Sequence, residues 1–289
     1  MSRHEYPSLR QGLVGAWCPS LGASGLSLID RSGRNNHGVL TNMGGQDNWR
    51  ASGSGVAINF DGTNDFAAVP NNPTLRPGLE SFSWTVWVLA NPQTQFGPIA
   101  QTRMADNAIT NAISLSVGGN TLNGTTGQRF GLGVFFNSTS AMRVTDTSAD
   151  VITGSLQHLA AVWNGTTAAL YVDGVPVATS VVGTAGSVSS LAPTGPLRIG
   201  ANVATGGNYF SGQIDDFRIY SRALTLAEIR LLASRRGIGL VPLPDRAAGL
   251  PRKLFVNDAG TWRPSDAYVN VGGTWKLGQA SVNVAGVWK

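Results

Sequence analysis

The chain's strongest catalytic and metal-binding residue types are scarce: three glutamates, three histidines and one cysteine in 289 residues. Glu5 falls in an N-terminal arm, Glu80 in a loop and Glu228 in a helix. Glycoside hydrolysis needs two carboxylates about 5–5.5 Å apart for retention, or about 6.5–9.5 Å for inversion. The adjacent Asp215 and Asp216 are expected to point to opposite faces of a strand. His4, His37 and His158 enter no H-E-x-x-H pattern, and no G-x-S-x-G or phosphate-binding loop is present. His158 precedes an apolar strand and is read as structural. Cys18, beside Trp17, is read as a small core residue; one cysteine forms neither an internal disulfide nor a thiolate cluster. No catalytic residue is assigned, and no enzyme is expected.

Binding chemistry is better represented. A sugar site needs an aromatic platform beside amides or carboxylates. Trp49 flanked by Asn48, and Tyr209 flanked by Asn208, stand in polar, Gly-rich surroundings and are the candidates. Trp17, Trp84, Trp87 and Trp163 lie in strand-like runs and are assigned to the core.

The elements that must hold these groups are short strands. Runs such as Leu13–Trp17, Phe82–Leu89, Phe130–Phe136 and Leu156–Trp163 alternate with Gly/Asn/Asp/Pro clusters. Many have the period of two expected of half-buried strands. Asp61–Gly62 and Asp173–Gly174 are dipeptides suited to tight hairpins, and Asn164–Gly165 is a third. One helix interrupts the pattern. Thr225-Leu-Ala-Glu228 is a capping box, with Leu226, Ile229, Leu232 and Ala233 on one face and Gly237 beyond the end.

Composition supports an all-β reading. Charged residues make up 13% of the chain, and there are 37 glycines and 14 prolines. These values exclude a coiled coil and a disordered polyelectrolyte. No apolar run reaches a membrane span, and no secretion signal opens the chain. The net charge of +5 is concentrated at one end, with ten Lys/Arg against four Asp/Glu from Arg222 onward. Arg235, Arg236, Arg246, Arg252 and Lys253 are too loosely spaced for a nucleic-acid footprint.

The tail is an internal repeat. Val256–Asn257, Val269–Asn270 and Val282–Asn283 recur every 13 residues, as do Trp262, Trp275 and Trp288. The unit V-N-x-x-G-x-W-[RK] reads as strand, Gly turn and strand. Some 36 residues are too few for an independent core, so the tryptophans are expected to meet a partner surface. The division expected is an arm at 1–11, a sandwich at 12–239, a Pro-containing linker at 240–252 and the repeats at 253–289.

Several segments carry a family resemblance. They are Leu13-Val-Gly-Ala-Trp17, Ile29-Asp-Arg-Ser-Gly-Arg-Asn-Asn-His-Gly38 and Ile58-Asn-Phe-Asp-Gly-Thr-Asn-Asp-Phe66. His158-Leu-Ala-Ala-Val-Trp163, Leu170-Tyr-Val-Asp-Gly-Val175 and Gly212-Gln-Ile-Asp-Asp-Phe-Arg-Ile-Tyr-Ser-Arg-Ala-Leu224 follow in order. Together they resemble concanavalin A-like domains of the laminin-G/pentraxin kind over residues 12–236. The resemblance implies an all-β jelly-roll sandwich of two antiparallel sheets, closed by one short capped helix. Retaining glucanases of that fold carry E-x-D-x-x-E on one strand, which this chain lacks. Relatives often hold calcium, which implies a structural Ca2+ at Asp30, Asn36 and Asp216. The alternative is an Asx turn at Asp30 and pairing of Asp216 with Arg218 or Arg222. Asp61, Asn64 and Asp65 form a second candidate set, with plain turn chemistry as its alternative.

The tail repeats resemble those at the ends of tailed-phage structural proteins. The resulting expectation is a non-enzymatic virion protein, a head decoration or a tail or fibre component. Its sandwich would contact a cell-surface glycan or a protein neighbour. Its repeats would anchor it on other virion proteins or join it into a homo-oligomer, such as a trimer. The rivals are an exported carbohydrate-binding adhesin at the cell surface and a glycoside hydrolase.

Overall fold

The computed structural model describes residues 6–44, 48–53, 55–76, 80–93, 96–103, 112–118, 128–136, 141–148, 151, 154–184, 193–202 and 208–241. It also describes the backbone of 254–258, 261–265, 268–271, 274–277, 283–284 and 287–288. The chain divides into two compact units, one of which is His4–Val241. Residues 242–252 of the expected linker lie outside the described residues.

The first unit is a jelly-roll sandwich. Its strands are β1 (Leu13–Trp17), β2 (Ser27–Leu28), β3 (Gly38–Thr41), β4 (Trp49–Ala51), β5 (Val56–Asp61) and β6 (Phe66–Val69). Next come β7 (Phe82–Ala90), β8 (Gly97–Thr102), β9 (Ala112–Gly118), β10 (Arg129–Phe135), β11 (Ala141–Asp146) and β12 (Gln157–Trp163). The last are β13 (Ala168–Val172), β14 (Val175–Pro176), β15 (Thr179–Gly183), β16 (Leu197–Ile199) and β17 (Ser211–Tyr220), followed by α1 (Leu226–Ser234). Among the described residues one sheet runs β14-β13-β12-β7-β17-β5-β4, with β1 also paired to β17, and the other runs β15-β11-β10-β9-β8-β16-β6-β3-β2. All pairings are antiparallel.

The alternation seen in the sequence explains the core. Trp84, Val86 and Val88 of β7 point between the sheets, with Leu159, Ala161 and Trp163 of β12. From the other sheet come Ile113, Leu115 and Val117 of β9 and Phe130, Leu132 and Val134 of β10. Phe217 stacks on Trp17 at 5.6 Å and meets Trp84 edge-on at 5.5 Å, joining β1, β7 and β17. Each such aromatic pair adds about 0.5–1.5 kcal/mol beyond its buried area.

A second apolar cluster covers the outer face of the first sheet. Ile229 and Leu232 of α1 pack there with Ala160, Val162, Tyr220 and Leu9. Leu9 belongs to the segment expected as an arm, so at least its residues 6–11 are built into the sandwich. The capping box forms as expected: Thr225 Oγ1 accepts from Glu228 N at 3.3 Å, and Glu228 Oε2 accepts from Thr225 N at 3.0 Å. Leu226 differs from expectation and is exposed, because it opens the first turn ahead of the buried face.

One of two such turns differs from the sequence reading. Asp173 and Gly174 have φ of 49° and 77° and close the β13–β14 hairpin, as that dipeptide predicts. Asp61–Gly62 closes no hairpin, since β5 and β6 lie in different sheets. There Asp61 Oδ1 accepts from Thr63 N and Asn64 N, and Asp65 Oδ2 accepts from Asp61 N, which arches the chain between the layers.

Trp87 is not a core residue. It shares the outward face of β7 with Thr85 and is half-buried, with its ring edge-on to His158 at 5.5 Å. Burial holds the His158 imidazole neutral by pushing its pKa down to about 3. Between the ordinary pKa of about 6.5 and about 3, the unfolded chain binds a proton that the folded chain refuses. Stability therefore falls as pH falls through that window, by up to about 1.4 kcal/mol per pH unit. His158→Gln removes this component. Its unfolding free energy in urea is expected to decline less steeply than the parent's as pH falls through that window. Equal slopes would mean that His158 takes its proton in the folded state.

Candidate functional site

The Asp30–Gly38 turn forms around one carboxylate. Asp30 Oδ1 accepts from Ala16 N at 2.9 Å and Ser32 N at 2.8 Å. Asp30 Oδ2 accepts from Ser32 Oγ at 2.7 Å and Asn36 N at 2.9 Å. Asn36 in turn donates to Val14 O and Thr74 Oγ1, and its carbonyl accepts from Trp17 Nε1 at 2.8 Å. The spacing of Asp30, Ser32 and Asn36 is thus the spacing needed to cage a carboxylate against β1.

Asp216 is bound differently. β17 has an irregularity between Asp215 and Arg218, with Asp216 at φ 46°. That irregularity breaks the alternation, so the expectation of opposite faces fails. Both carboxylates instead reach the segment after α1. Asp215 Oδ2 accepts from Arg236 Nη1 at 2.9 Å, and Asp216 Oδ2 accepts from Gly237 N at 2.7 Å. Arg218 closes a fork on Asp216 through Nε and Nη2, both at 2.7 Å. Burial and the neighbouring Asp216 push the Asp215 carboxyl up, against donors from Ser20 and Arg236. Burial, with Asp216 and Asp215 nearby, also pushes the Cys18 thiol far up, so it is no nucleophile.

These contacts decide the calcium expectation. Calcium needs open oxygen ligands. The Asp30 oxygens each hold two donor hydrogens, and Asp216 faces a guanidinium. Asn36 Oδ1 is a buried oxygen without a donor, but Asp30 and Asp216 have none to spare, so the set of three does not fit the ion. At the second candidate set, Asp61 Oδ1 is taken by the turn N–H groups of Thr63 and Asn64, and Asp65 Oδ2 by Asp61 N and Asn48 Nδ2. No group of three His, Cys, Asp or Glu able to hold a metal occurs among the described residues.

Trp49 reaches the surface. It stands on the edge strand β4, paired with Ile58, and is half-buried against the core. Its indole Nε1 donates to Gly25 O at 3.0 Å. Beside it is a shallow surface depression, lined also by Pro19, Ser24, Leu28 and Arg31. Arg31 Nη2 donates to Leu21 O at 3.2 Å, while its Nε is shielded from solvent and has no acceptor. The combination is an aromatic ring, an apolar wall and a cation with an unused donor. Arg31 was not foreseen from the sequence; its place in the D-x-S-G turn was the available signal.

The other candidates serve the frame. Asn48 is buried and bonds Asn59 O and Asp65 Oδ2, which ties β4 to the β5–β6 arch. Tyr209 forms a bridge with Ala201, and Asn208 O accepts from Asn202 N at 3.0 Å. Neither lines the depression at Trp49. Trp262, Trp275 and Trp288 are described in backbone only, on hairpin strands β19 (Thr261–Ser265), β21 (Thr274–Leu277) and β23 (Val287–Trp288).

The Asp30 cage generates a prediction. Asp30→Ala orphans three backbone N–H groups and is expected to cost about 3 kcal/mol or more in urea unfolding. EDTA is expected to leave the melting temperature of the parent protein unchanged. A melt that falls with EDTA would return a metal to this turn.

Comparison with known proteins agrees with the architecture. Residues 61–230 match the family Laminin_G_3, described as the concanavalin A-like lectin/glucanases superfamily. Domain 4 of AbnA, a GH43 extracellular arabinanase from Geobacillus stearothermophilus, in complex with arabinotriose, is 20% identical. That match covers 76% of this chain and 98% of that domain, with a TM-score of 0.55. The binding domain of Paraclostridial Mosquitocidal Protein 1 is 13% identical over 94% of this chain and 68% of that one, with a TM-score of 0.56. Trypanosoma rangeli sialidase is 18% identical over 77% of this chain but only 32% of its own length, with a TM-score of 0.51. At these identities the likeness is one of fold. No curated protein sequence matches the chain. The family match covers more than half of the residues, and the chain belongs to the concanavalin A-like lectin/glucanase superfamily.

Proposed function

We propose that the sandwich is a non-catalytic glycan-binding module, and that Trp49 and Arg31 form its contact with the sugar. The observation that carries this reading is the half-buried indole of Trp49 on an edge strand, set beside the Arg31 guanidinium. A sugar ring can stack its C–H face on Trp49 and accept a hydrogen bond from Arg31. The depression has no lining carboxylate, so it holds no acid/base pair for glycoside cleavage. Asp215 and Asp216 face arginines, which supports the same view. The arabinanase domain solved with arabinotriose makes that trisaccharide a sensible first probe.

The test uses full-length protein on immobilised glycans, with arabinotriose among them. Trp49→Ala is expected to lower retention at least tenfold while the melt is kept. The parent is expected to release no reducing sugar. Unchanged retention would remove Trp49 from the site, and reducing-sugar release would make the module an enzyme.

The finer reading is a virion structural role, on a phage head or tail. The tail supports it. Its three hairpins share one register, with Asn257 opposite Trp262, Asn270 opposite Trp275 and Asn283 opposite Trp288. Two-stranded hairpins are marginal alone, so other chains are needed to complete them. Replacing all three tail tryptophans by Ala in the full chain is expected to reduce an oligomer, such as a trimer, to monomer in light scattering. An unchanged mass would leave the tail without an assembly role.

A further inference from the structure

An antiparallel sheet is unfinished at its edges, where one side of the last strand has no ladder partner. Among the described residues the main paths of the two sheets end at β14 and β4, and at β15 and β2. β1, which pairs with β17 beside the first path, is buried throughout. Three of the end strands are blunted. β14 and β2 have two residues each, and β14 contains Pro176. β4 has three residues and carries Arg50 at its centre. β15 differs: it is five residues long, Thr179-Ser-Val-Val-Gly183, with no charge and no proline.

β15 is also open on both faces of its sheet. Val181 and Val182, which alternation sends to opposite faces, are 46% and 45% exposed. Among the described residues β15 pairs with β11, with Val181 opposite Val144, Val182 opposite Arg143 and Ser180 opposite Thr145. Alternate residues of an antiparallel strand bond to one neighbour, so the other N–H and C=O groups of β15 point away from β11. Val144 belongs to the core, so Val181 carries the core face of the sheet out to its rim and ends there uncovered.

The sequence of β15 is complementary to itself. In antiparallel pairing about Val181, Val181 meets Val181 of the other copy, Ser180 meets Val182 and Thr179 meets Gly183. The core-face row Val144–Val181 then runs on without a break into the same row of the second copy. Like charge is the main obstacle between copies of a chain with net charge +5. On β11 the charges are Arg143 and Asp146, and two copies of β11 would lie three strand spacings apart. That is about 14 Å, beyond the screening length of about 8 Å. The same pairing at β4 would set Arg50 against Arg50, which is unfavourable. We propose that β15 is a docking edge for a second copy of this chain, joining two nine-stranded sheets antiparallel along Thr179–Gly183 about a two-fold axis. A two-fold contact of this kind closes on itself. A single strand pair is small, so the association is weak and concentration-dependent. The proposal is independent of the glycan contact at Trp49 and of the tail.

The test uses the full-length chain and two kinds of variant. Val181→Cys is expected to form a disulfide-linked dimer under mild oxidation at least tenfold faster than Val175→Cys. Val175 is 60% exposed but lies on β14, which Pro176 blunts, so it controls for chance collision and for any contact made through the tail. Cys18 is buried and does not compete. Val181→Lys and Val181→Glu change an exposed side chain and are expected to keep the melt. In light scattering the parent's mass is expected to rise with concentration, the rise to be lost in either charged variant alone, and to return when the two are mixed, because Lys then faces Glu. Equal trapping of the two cysteine variants would overturn the proposal. So would a mass profile that is the same for the parent and both charged variants, or a mixture that associates no better than its components.

Discussion

The fork between Asp216 and Arg218 is the interaction on which the closure of the sandwich depends. Both side chains are buried, at 2% and 0% exposure, so neither charge can be left alone. Breaking such a pair by removing one partner costs about 3–5 kcal/mol, because the other charge stays buried. Burial by itself would lower the Arg218 pKa, yet Asp216 more than reverses this and raises it. The fork needs Asp216 to leave the regular strand, and its φ of 46° in the irregular part of β17 provides that. The same pair then organises its surroundings. Arg218 Nη1 donates to Ile238 O, and Asp216 accepts from Gly237 N, so the chain after α1 is drawn onto the outer face of the sheet. Gly237 has φ 71°, and a Cβ there would meet Leu21 at 2.8 Å. Glycine is needed both for the backbone conformation and for the close approach.

A second buried carboxylate does the matching work at the start of the chain. Asp30 ties its own turn to Ala16 of β1, while β1 pairs with β17 from Leu13 to Trp17. The first and last strands of the sandwich are therefore held side by side, each with a caged carboxylate close to the shared ladder. The Trp49 depression lies between these two fixed regions. Cys18, Pro19 and Leu28 line it, and Ser20 N donates to Asp215 Oδ1. Rigidity of the wall thus comes from buried acidic residues, as the proposed glycan contact would require of a preformed site.

The fold was legible because its period of two was legible. Trp84, Val86 and Val88 announced the inner face of β7 without any structure. The capping box at Thr225 and Glu228 announced α1 for the same reason: the signal is local. What local signals missed were the effects of tertiary context. Asp61–Gly62 has the chemistry of a hairpin, yet the two strands it joins belong to different sheets, because Asp65 turns the chain inward. Asp215 and Asp216 read as opposite faces only if β17 is regular; the pairing of Asp216 with Arg218 was readable as the alternative to calcium, but the irregularity that the fork stabilises was not. Trp87 lies three residues from Trp84, so the same period of two places it on the outer face, where it is half-buried beside His158. Of the candidate site residues, Trp49 reaches a surface depression because it sits on an edge strand. Asn48, one residue earlier, is consumed by Asp65.

The tail follows a different logic from the sandwich. Among the described residues β18 (Leu254–Asp258) pairs with β19, β20 (Tyr268–Val271) with β21, and β22 (Asn283–Val284) with β23. Each pair places Asn directly across from Trp, and in the first two Val faces the basic residue after that Trp, Arg263 or Lys276. Cross-strand pairs of this kind contribute about 0.2–1 kcal/mol each, far below the ordering entropy of about 1–2 kcal/mol per residue. A hairpin repeated three times in register does not become stable by repetition unless neighbouring strands or chains share its exposed edges. The identical register in all three units means that one partner geometry would satisfy each of them. The sandwich carries its stability in a buried core and two caged carboxylates, whereas the tail is a periodic set of two-stranded hairpins, for which the proposed association would supply the missing stability.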